Sequence, residues 1–242
     1  MSNFPWLTTI GVIPLIGAVV VMLLPRSKGL LAKQLALVFS LIALGMTIAM
    51  ALQFDADVTD PFQFSESASW IPALGISYSV GVDGIGLVLI GLAATLVPVV
   101  ILAGWHDVDE ELGSVKGYFA LILVLQTLMI GVFAATDVFL FYVFFEAMLV
   151  PIYFLIGRYG GPQRAYAAVK FLIYSLVGGL FMLASLIGLY VVSGRQLGEG
   201  TFDFLSLVGL EMDSTTQRLL FLGFFFAFAI KAPLFPFHTW LP

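Results

Sequence analysis

Long apolar runs, separated by shorter polar connections, dominate the chain. A helix needs roughly 17–25 mostly apolar residues to cross the hydrocarbon core of a bilayer. Seven runs fit that description, and the pattern therefore predicts about seven transmembrane helices. Their approximate bounds are Thr8–Leu24, Leu31–Leu52, Gly84–Leu102, Tyr118–Ala135, Val138–Ile156, Ala165–Val192 and a last segment from Arg218 onward.

The composition agrees with this pattern. Of 242 residues 61% are hydrophobic and only 10% are charged, with a mean hydropathy of +1.08. A soluble domain carries about a quarter of its residues as Asp, Glu, Lys or Arg. The fold class is therefore an all-α polytopic membrane protein. Cysteine is absent, so disulfides and thiolate-bound iron–sulfur clusters are excluded within this chain.

The connections divide the chain into four parts. Residues 1–52 hold two N-terminal helices, and 53–83 form a polar loop. In that loop the stretch WIPALGISYSVGVDG alternates around Gly75, which favours a short hairpin. Residues 84–117 hold the third helix and a connection, and 118–242 hold the remaining helices.

Basic residues predict the orientation, because cytoplasmic loops of membrane proteins are enriched in Lys and Arg. The connections on one side contain six basic residues, and those on the other contain two. We therefore expect the N-terminus and the 53–83 loop to be extracytoplasmic. No basic residue precedes the first apolar run, so we expect that run to be a retained helix rather than a signal peptide. The six are Arg26, Lys28, Lys33, Lys116, Arg158 and Arg164, and the two are Arg195 and Arg218.

The seventh segment contains two prolines, Pro233 and Pro236, where a helix would otherwise continue. Each proline lacks a backbone N–H and clashes with the preceding turn, so the helix is expected to break there. Inside a bilayer the freed carbonyls need protein or water partners. The pattern thus predicts a discontinuous seventh helix beside a polar site.

Three ionisable side chains, Glu146, Lys170 and Lys231, fall inside predicted helices. A charge at the centre of a membrane helix costs on the order of 2.5–3.5 kcal/mol on insertion scales. At 1.5 Å per residue, Glu146 lies ~12 Å from the start of its helix and Lys231 lies ~20 Å along its own, directly before the break. A desolvated lysine with a nearby carboxylate can hold and release a proton. Glu146 and Lys231 are therefore the candidate proton-transfer pair.

Each candidate has a structural alternative. Glu146 and Lys231 could form a static ion pair that locks two helices. Lys170 lies only ~8 Å from a helix end, so its ammonium could reach water instead of relaying protons. His238 could carry protons across the break, because its ordinary pKa is near neutrality, or could hydrogen-bond the broken helix. Ser175 and Gly179 form a small-xxx-small pair that predicts close helix contact.

No motif for redox cofactors, metals, nucleotides or nucleic acid is found in the sequence. Three stretches together nevertheless resemble the antiporter-like membrane subunits of respiratory complex I: FYVFFEAMLVPIYFL, AVKFLIYSLVGGLFML and FAFAIKAPLFPFHTWLP. The stretches FPWLTT and LGISYSVGVDGIGL are similar to the same subunits, so the resemblance runs along the whole chain.

The resemblance implies a fold of about fourteen helices in two inverted repeats with discontinuous helices in both. It identifies Glu146 with the fifth-helix glutamate, Lys231 with the lysine of the broken seventh helix, Lys170 with a sixth-helix lysine and His238 with the histidine of the HTWLP segment. Residues 118–242 would be the first, incomplete repeat. A lysine on an eighth helix and a charged residue on a twelfth have no counterpart here, so the chain would be at most the first half of such a subunit.

The function implied is proton translocation without redox chemistry, coupled to quinone reduction elsewhere in an NADH:quinone oxidoreductase. FMN, iron–sulfur clusters and quinone would bind to partner subunits, and other membrane-arm subunits would be neighbours in a bacterial inner membrane. Two further interpretations remain open: a subunit of an Mrp-type cation/proton antiporter, and a structural spacer of the membrane arm.

Overall fold

The computed structural model describes residues 4–57, 60–108 and 114–241. These residues form a helical bundle with one small antiparallel sheet on one side of it. The α-helices are α1 (Trp6–Leu23), α2 (Gly29–Ala51), α3 (Gly84–Ala103), α4 (Val115–Ala134), α5 (Val138–Ala147), α6 (Leu149–Tyr159), α7 (Arg164–Leu197), α8 (Phe204–Val208) and α9 (Ser214–Lys231).

Several helices begin at a side chain that accepts hydrogen bonds from the first turn. Asp83 accepts one from Gly86 N at 2.6 Å, and Ser114 accepts one from Gly117 N at 3.3 Å. Asp137, Asp203 and Asp213 cap α5, α8 and α9 in the same way. Such caps satisfy backbone donors that have no partner inside the helix, which explains where these helices start.

Six spans in the described residues are long and apolar enough to cross a membrane, and α5 with α6 counts as one of them, Val138–Tyr159. They correspond to the first six predicted segments. The seventh predicted segment is α9, which lies outside this set because its first turn is polar and it ends at Lys231. The helix also starts four residues earlier than predicted, at Ser214 rather than Arg218.

Helices α1 to α4 pack on one another and enclose a core of small and aliphatic side chains. At its centre Phe119 and Leu123 of α4 are completely buried against Ala32 and Ala36 of α2. The small α2 side chains allow the helices to approach closely, as is usual in membranes. Helix α7 packs along α9 and α6, and α5 lies between α4 and α7.

The hairpin consists of β1 (Gln63–Ile71) and β2 (Ile76–Val82), joined by a 3₁₀ turn, Pro72–Leu74, and by Gly75 in the left-handed region with φ 63°. The alternating stretch that predicted the hairpin begins at Trp70, whereas β1 begins seven residues earlier, at Gln63. The sheet is therefore longer than the sequence pattern indicated. A Cβ on Gly75 would also lie 2.6 Å from the Gly200 carbonyl oxygen, so this position requires glycine for two reasons.

The hairpin forms hydrogen bonds with the starts of two helices, α1 and α5. The Glu66 carboxylate accepts hydrogen bonds from Leu7 N at 2.8 Å and from the Thr8 hydroxyl, at the start of α1. On the opposite strand, Ser77 N donates to the Asp137 carboxylate at 3.0 Å, at the start of α5. The side of the bundle that carries the hairpin is called the hairpin side below. The same sheet therefore positions the first turns of α1 and α5.

Candidate functional site

Glu146 lies two turns into the span that Asp137 begins. The Asp137 carboxylate is only 2% exposed and accepts hydrogen bonds from Phe139 N at 2.9 Å and Leu140 N at 3.0 Å. Burial raises the pKa of this carboxyl group, and its three backbone hydrogen bonds oppose the rise. The cap fixes where α5 starts and hence the depth of Glu146, about 13 Å further along at 1.5 Å per residue.

The Glu146 carboxylate lies directly against Gly179 of α7. A Cβ built on Gly179 would overlap the carboxylate group, and it would lie 2.6 Å from Oε2. The absence of a side chain at Gly179 therefore provides the space for the Glu146 carboxylate, and a larger residue at this position would displace the carboxylate. Ser175, one turn away on α7, is 5% exposed. The predicted close contact at this small-xxx-small pair is present, and a carboxylate fills it.

The helix that carries Glu146 continues past this residue, since Met148 N donates to the Phe144 carbonyl at 3.2 Å and Ile152 N donates to the Met148 carbonyl at 3.4 Å. Helix α5 ends at Ala147, Met148 separates it from α6, and Pro151 lies within α6. Because a proline has no N–H, Pro151 cannot donate to the carbonyl of Ala147 one turn earlier. The predicted helix Val138–Ile156 is present as one span, Val138–Tyr159, which lacks one backbone hydrogen bond near Met148 and continues three residues further than predicted. The missing hydrogen bond follows from Pro151.

Lys231 is the last residue of α9. Its ammonium is buried and lies 4.8 Å from the centroid of the Phe145 ring, which is itself 8% exposed. A cation over an aromatic face is stabilised by the ring quadrupole, by about 2 kcal/mol when desolvated. Phe145 precedes Glu146 in sequence, so neighbouring side chains of α5 approach α9 and α7.

Glu146 and Lys231 interact electrostatically but do not form a hydrogen-bonded pair. Among the described residues, neither Lys231 Nζ nor Glu146 Oε1 has a hydrogen-bond partner, although both atoms are buried. The two charges are still near enough to influence each other. The structure thus brings the predicted pair to one site, and a static ion pair held by a direct hydrogen bond is not what it contains.

The chain leaves the helix directly after Lys231, at the two prolines. Leu234 N donates to the Ala229 carbonyl at 2.8 Å, one residue further back than in a regular helix. The Ile230 carbonyl instead accepts from the Trp240 indole N–H at 2.8 Å. Trp240 ends a 3₁₀ turn, Phe237–Trp240, that folds back toward α9. A protein group therefore satisfies a carbonyl that the break leaves without its usual partner, as a membrane interior requires.

Lys170 and His238 lie at other contacts. Lys170 is half-buried on α7, with its ammonium 5.9 Å from the centroid of the exposed Tyr166 ring. His238 is exposed and stacks on Phe235 with ring centroids 5.6 Å apart. Trp240, rather than His238, hydrogen-bonds the broken helix. The roles of both residues in proton transfer remain predictions.

Other buried polar atoms of the described residues lack hydrogen-bond partners, and of the residues that carry them only Ser175 was noted from the sequence, as a small residue. Gln126 of α4 is 0% exposed, and within the described part of the chain neither of its amide atoms has a partner. The hydroxyls of Thr127 and Ser175 share this property. Spacing alone gives no signal for these residues, because Gln and Thr at buried helix positions are seen only once the packing is known. In the same described ranges, no three His, Cys, Asp or Glu residues cluster as metal ligands.

The fold and the site together define a class: a multi-pass α-helical membrane protein with an interrupted helix and a buried carboxylate–ammonium site. Comparisons with known proteins refine it. Residues 135–242 match the family described as NADH:quinone oxidoreductase/Mrp antiporter, TM. The matched segment begins at the turn before α5 and contains Glu146, Lys170, Lys231 and His238.

Relatives and solved structures agree with that match. The chain is 45% identical over 275 residues to NADH-quinone oxidoreductase subunit M of Mycobacterium tuberculosis, covering 100% of this chain and 49% of the relative. It is similar, with a TM-score of 0.81 and 29% identity, to a chain of respiratory complex I from Thermus thermophilus, covering 98% of this chain and 46% of that one. The predicted resemblance to antiporter-like membrane subunits of complex I is confirmed. The chain spans about half the length of these relatives.

An Mrp complex from Dietzia is also similar, with a TM-score of 0.77 and 22% identity, covering 98% of this chain and 25% of the matched one. Identity at that level shows a common fold. It therefore places the Mrp antiporters and the complex I subunits in one architecture and does not choose between their activities.

Proposed function

We propose that this chain forms the N-terminal half of a proton-translocating membrane-arm subunit of an NADH:quinone oxidoreductase, in which Glu146 and Lys231 act as a switchable proton store. One observation carries the proposal: the Glu146 carboxylate of α5 and the Lys231 ammonium at the end of α9 are buried near each other without a hydrogen bond between them. Similarity to subunit M supports the assignment to this enzyme complex. The subunit itself performs no redox step.

The switch follows from the energetics of charge in a low-dielectric site. Desolvation disfavours the ammonium of Lys231, and a nearby carboxylate favours it. Because no direct hydrogen bond holds Glu146 to Lys231, a small displacement or a change in hydration alters this balance. When the influence of the carboxylate weakens, Lys231 releases its proton; when it returns, Lys231 takes one up. Transfer of one charge against 100 mV requires roughly 2.3 kcal/mol, which the redox reaction in partner subunits supplies.

The proposal includes the surroundings of the subunit. Other membrane-arm subunits are its neighbours, and FMN, iron–sulfur clusters and quinone are bound elsewhere in the complex. The membrane is a bacterial inner membrane. The hairpin side faces outward, in accordance with the six basic residues in connections on the opposite side. Lys170 and His238 extend the proton path beyond Lys231.

The test measures protons pumped per electron in the full-length, assembled complex with Glu146→Gln. The amide has the shape of the carboxylate but cannot carry its charge. Assembly is first checked on a native gel, and NADH:quinone turnover is measured in parallel. Glu199→Gln is the matched control, because Glu199 is exposed in the connection after α7. We expect pumping per electron to fall with Glu146→Gln and to be unchanged with Glu199→Gln.

The alternatives predict different results. A structural spacer predicts that Glu146→Gln changes assembly but leaves the proton-to-electron ratio intact. An Mrp-type antiporter, favoured only by the common fold, predicts cation-dependent proton movement without NADH. Unchanged pumping in a correctly assembled Glu146→Gln complex contradicts the proposed role of Glu146.

A further inference from the structure

A cleft of about 540 Å³ lies on the hairpin side, between α3, α4, α5, α7, α8 and α9. Asp83, Thr136 and Phe62 line its outer part, at the level where the hairpin meets the helices. Phe141 of α5 and Phe224 of α9 line it further in. The cleft therefore leads from the hairpin side toward the site that contains Lys231.

Aromatic side chains separate the cleft from that site. Phe141 contacts Phe145 with ring centroids 5.7 Å apart, and both contact Phe228, at 6.2 Å and 5.8 Å. We define these three residues as the aromatic plug. Its inner ring, Phe145, carries the Lys231 ammonium on its face, and its outer ring, Phe141, forms part of the cleft wall. Three rings in mutual contact thus lie between the cleft and the Lys231 ammonium.

Packing is tight around the inner ring of the plug, whereas Phe228 of α9 is 42% exposed. Phe145 is 8% exposed and belongs to a core cluster with Met182 of α7 and Ala227 of α9, which are 0% and 2% exposed. Small residues on α7 and α9 permit this packing, since a Cβ on Gly178 would lie 3.3 Å from Ala227 Cα. Hydrophobic constrictions in membrane proteins block water and ions by dewetting.

We propose that the aromatic plug is a barrier that prevents water in the cleft from reaching Lys231 and Glu146 from the hairpin side. This inference rests on the proposed function for its purpose: a proton store can work against a gradient only if it does not connect both sides at once. It assigns to Phe141 and Phe228 the role of positioning residues, which act by excluding water and not by carrying protons. Protons reach Lys231 from the opposite side while the plug is closed.

Accessibility of single cysteines to a charged, membrane-impermeant thiol reagent tests the barrier directly. The 242 residues contain no cysteine, so introduced thiols in them have no native background. Leu189→Cys places a thiol on the cleft wall, and Met182→Cys places one two turns away on the same helix, within the cluster around Phe145. Both are made in the full-length, assembled complex, and the reagent is added from the hairpin side.

With the plug intact, we expect labelling at Leu189→Cys and at least tenfold slower labelling at Met182→Cys, a ratio that corresponds to ~1.4 kcal/mol in barrier height. Adding Phe141→Ala or Phe228→Ala removes a ring and is expected to bring the Met182→Cys rate toward that of Leu189→Cys. Phe221→Ala is the matched control on α9, because that side chain is 63% exposed and outside the plug.

A second readout is passive proton entry into vesicles after an imposed pH step without NADH. Phe141→Ala is expected to increase this rate, and Phe221→Ala is not. Equal labelling of both cysteines with the plug intact overturns the barrier, as does no labelling at Leu189→Cys or no effect of either plug substitution. The labelling does not depend on pumping, so it can succeed while Glu146→Gln leaves pumping intact, and the two proposals can fail separately.

Discussion

Gly179→Ala tests whether the position of the Glu146 carboxylate against α7 matters for proton transfer. The added Cβ would lie 2.6 Å from Oε2 and would overlap the rest of the carboxylate. An ordinary contact requires about 3.5 Å, so the carboxylate has to move by ~1 Å or the helices have to separate. Overpacking of this kind costs about 1–3 kcal/mol. A displacement of ~1 Å at a reacting group can cost on the order of 100-fold in rate.

We therefore expect Gly179→Ala to lower the protons pumped per electron severely while the complex still assembles. The substitution changes no charge and leaves both Glu146 and Lys231 in place, so a loss of pumping reports on geometry alone. The measurement is redox-driven acidification in closed vesicles, normalised to NADH:quinone turnover and to the amount of complex on a native gel.

Gly45→Ala provides the matched control. Gly45 lies in α2, and a Cβ there meets no heavy atom of the described residues within 4 Å. A glycine-to-alanine change inside a helix should stabilise it by roughly 0.5–1 kcal/mol when the space is free. If Gly179→Ala pumps as well as Gly45→Ala, the position of the carboxylate against α7 does not control proton transfer, and the reasoning is refuted.

Three further changes test other parts of the structure. Trp240→Phe removes the donor to the Ile230 carbonyl and should cost about 1–3 kcal/mol; a lower thermal midpoint of the purified complex would show this, and an unchanged midpoint would contradict it. Gln126→Leu removes buried amide atoms that have no partner among the described residues and should leave the same midpoint unchanged or raise it, whereas a fall would indicate that the amide is satisfied. Hydrogen bonds from the Thr216 hydroxyl above all, and from backbone N–H groups, hold the pKa of the exposed Asp213 carboxyl below its usual range. The Asp213 carboxylate therefore stabilises α9 above its unfolded pKa of about 3.9, and this stabilisation is lost as the pH falls through the lower folded pKa. Hydrogen exchange in the first turn of α9 should accordingly lose protection at low pH in the wild type but not with Asp213→Asn. The same pH dependence in both proteins would contradict this role of Asp213.

The helices were predictable because each apolar run has to bury its own backbone hydrogen bonds in the membrane. Six of the seven predicted segments have the length and hydropathy of membrane spans, and the polar start of α9 explains why it lies outside this set. Pro233 and Pro236 indicated a break, and α9 ends at Lys231. Pro151 lies within a continuous apolar run, and it removes one backbone hydrogen bond near Met148 without ending the span.

The contacts of the site could not be derived from spacing. The Ser175–Gly179 pair predicted that something approaches α7 closely, but any small or flexible group satisfies such a pattern. Only the packing of α5 against α7 shows that the approaching group is the Glu146 carboxylate. Likewise, Phe145 reads as one more aromatic residue in FYVFF, and its contact with Lys231 depends on how α5 meets α9. Long-range packing, rather than local preference, determines both contacts.

The same packing explains how opposite charges can be close and yet exchangeable. A buried ion pair with direct hydrogen bonds is costly to separate, since breaking it leaves an uncompensated charge at about 3–5 kcal/mol. Here Phe145 receives the ammonium of Lys231, Gly179 receives the carboxylate of Glu146, and among the described residues no hydrogen bond joins Lys231 Nζ to Glu146. The ammonium thus keeps a stabilising contact with Phe145 that does not depend on the protonation of Glu146, and the carboxylate is positioned by packing against Gly179 alone. Under the proposed function, that separation lets protonation change within the few kcal/mol that one redox step can supply, whereas a tight salt bridge would hold the proton in place.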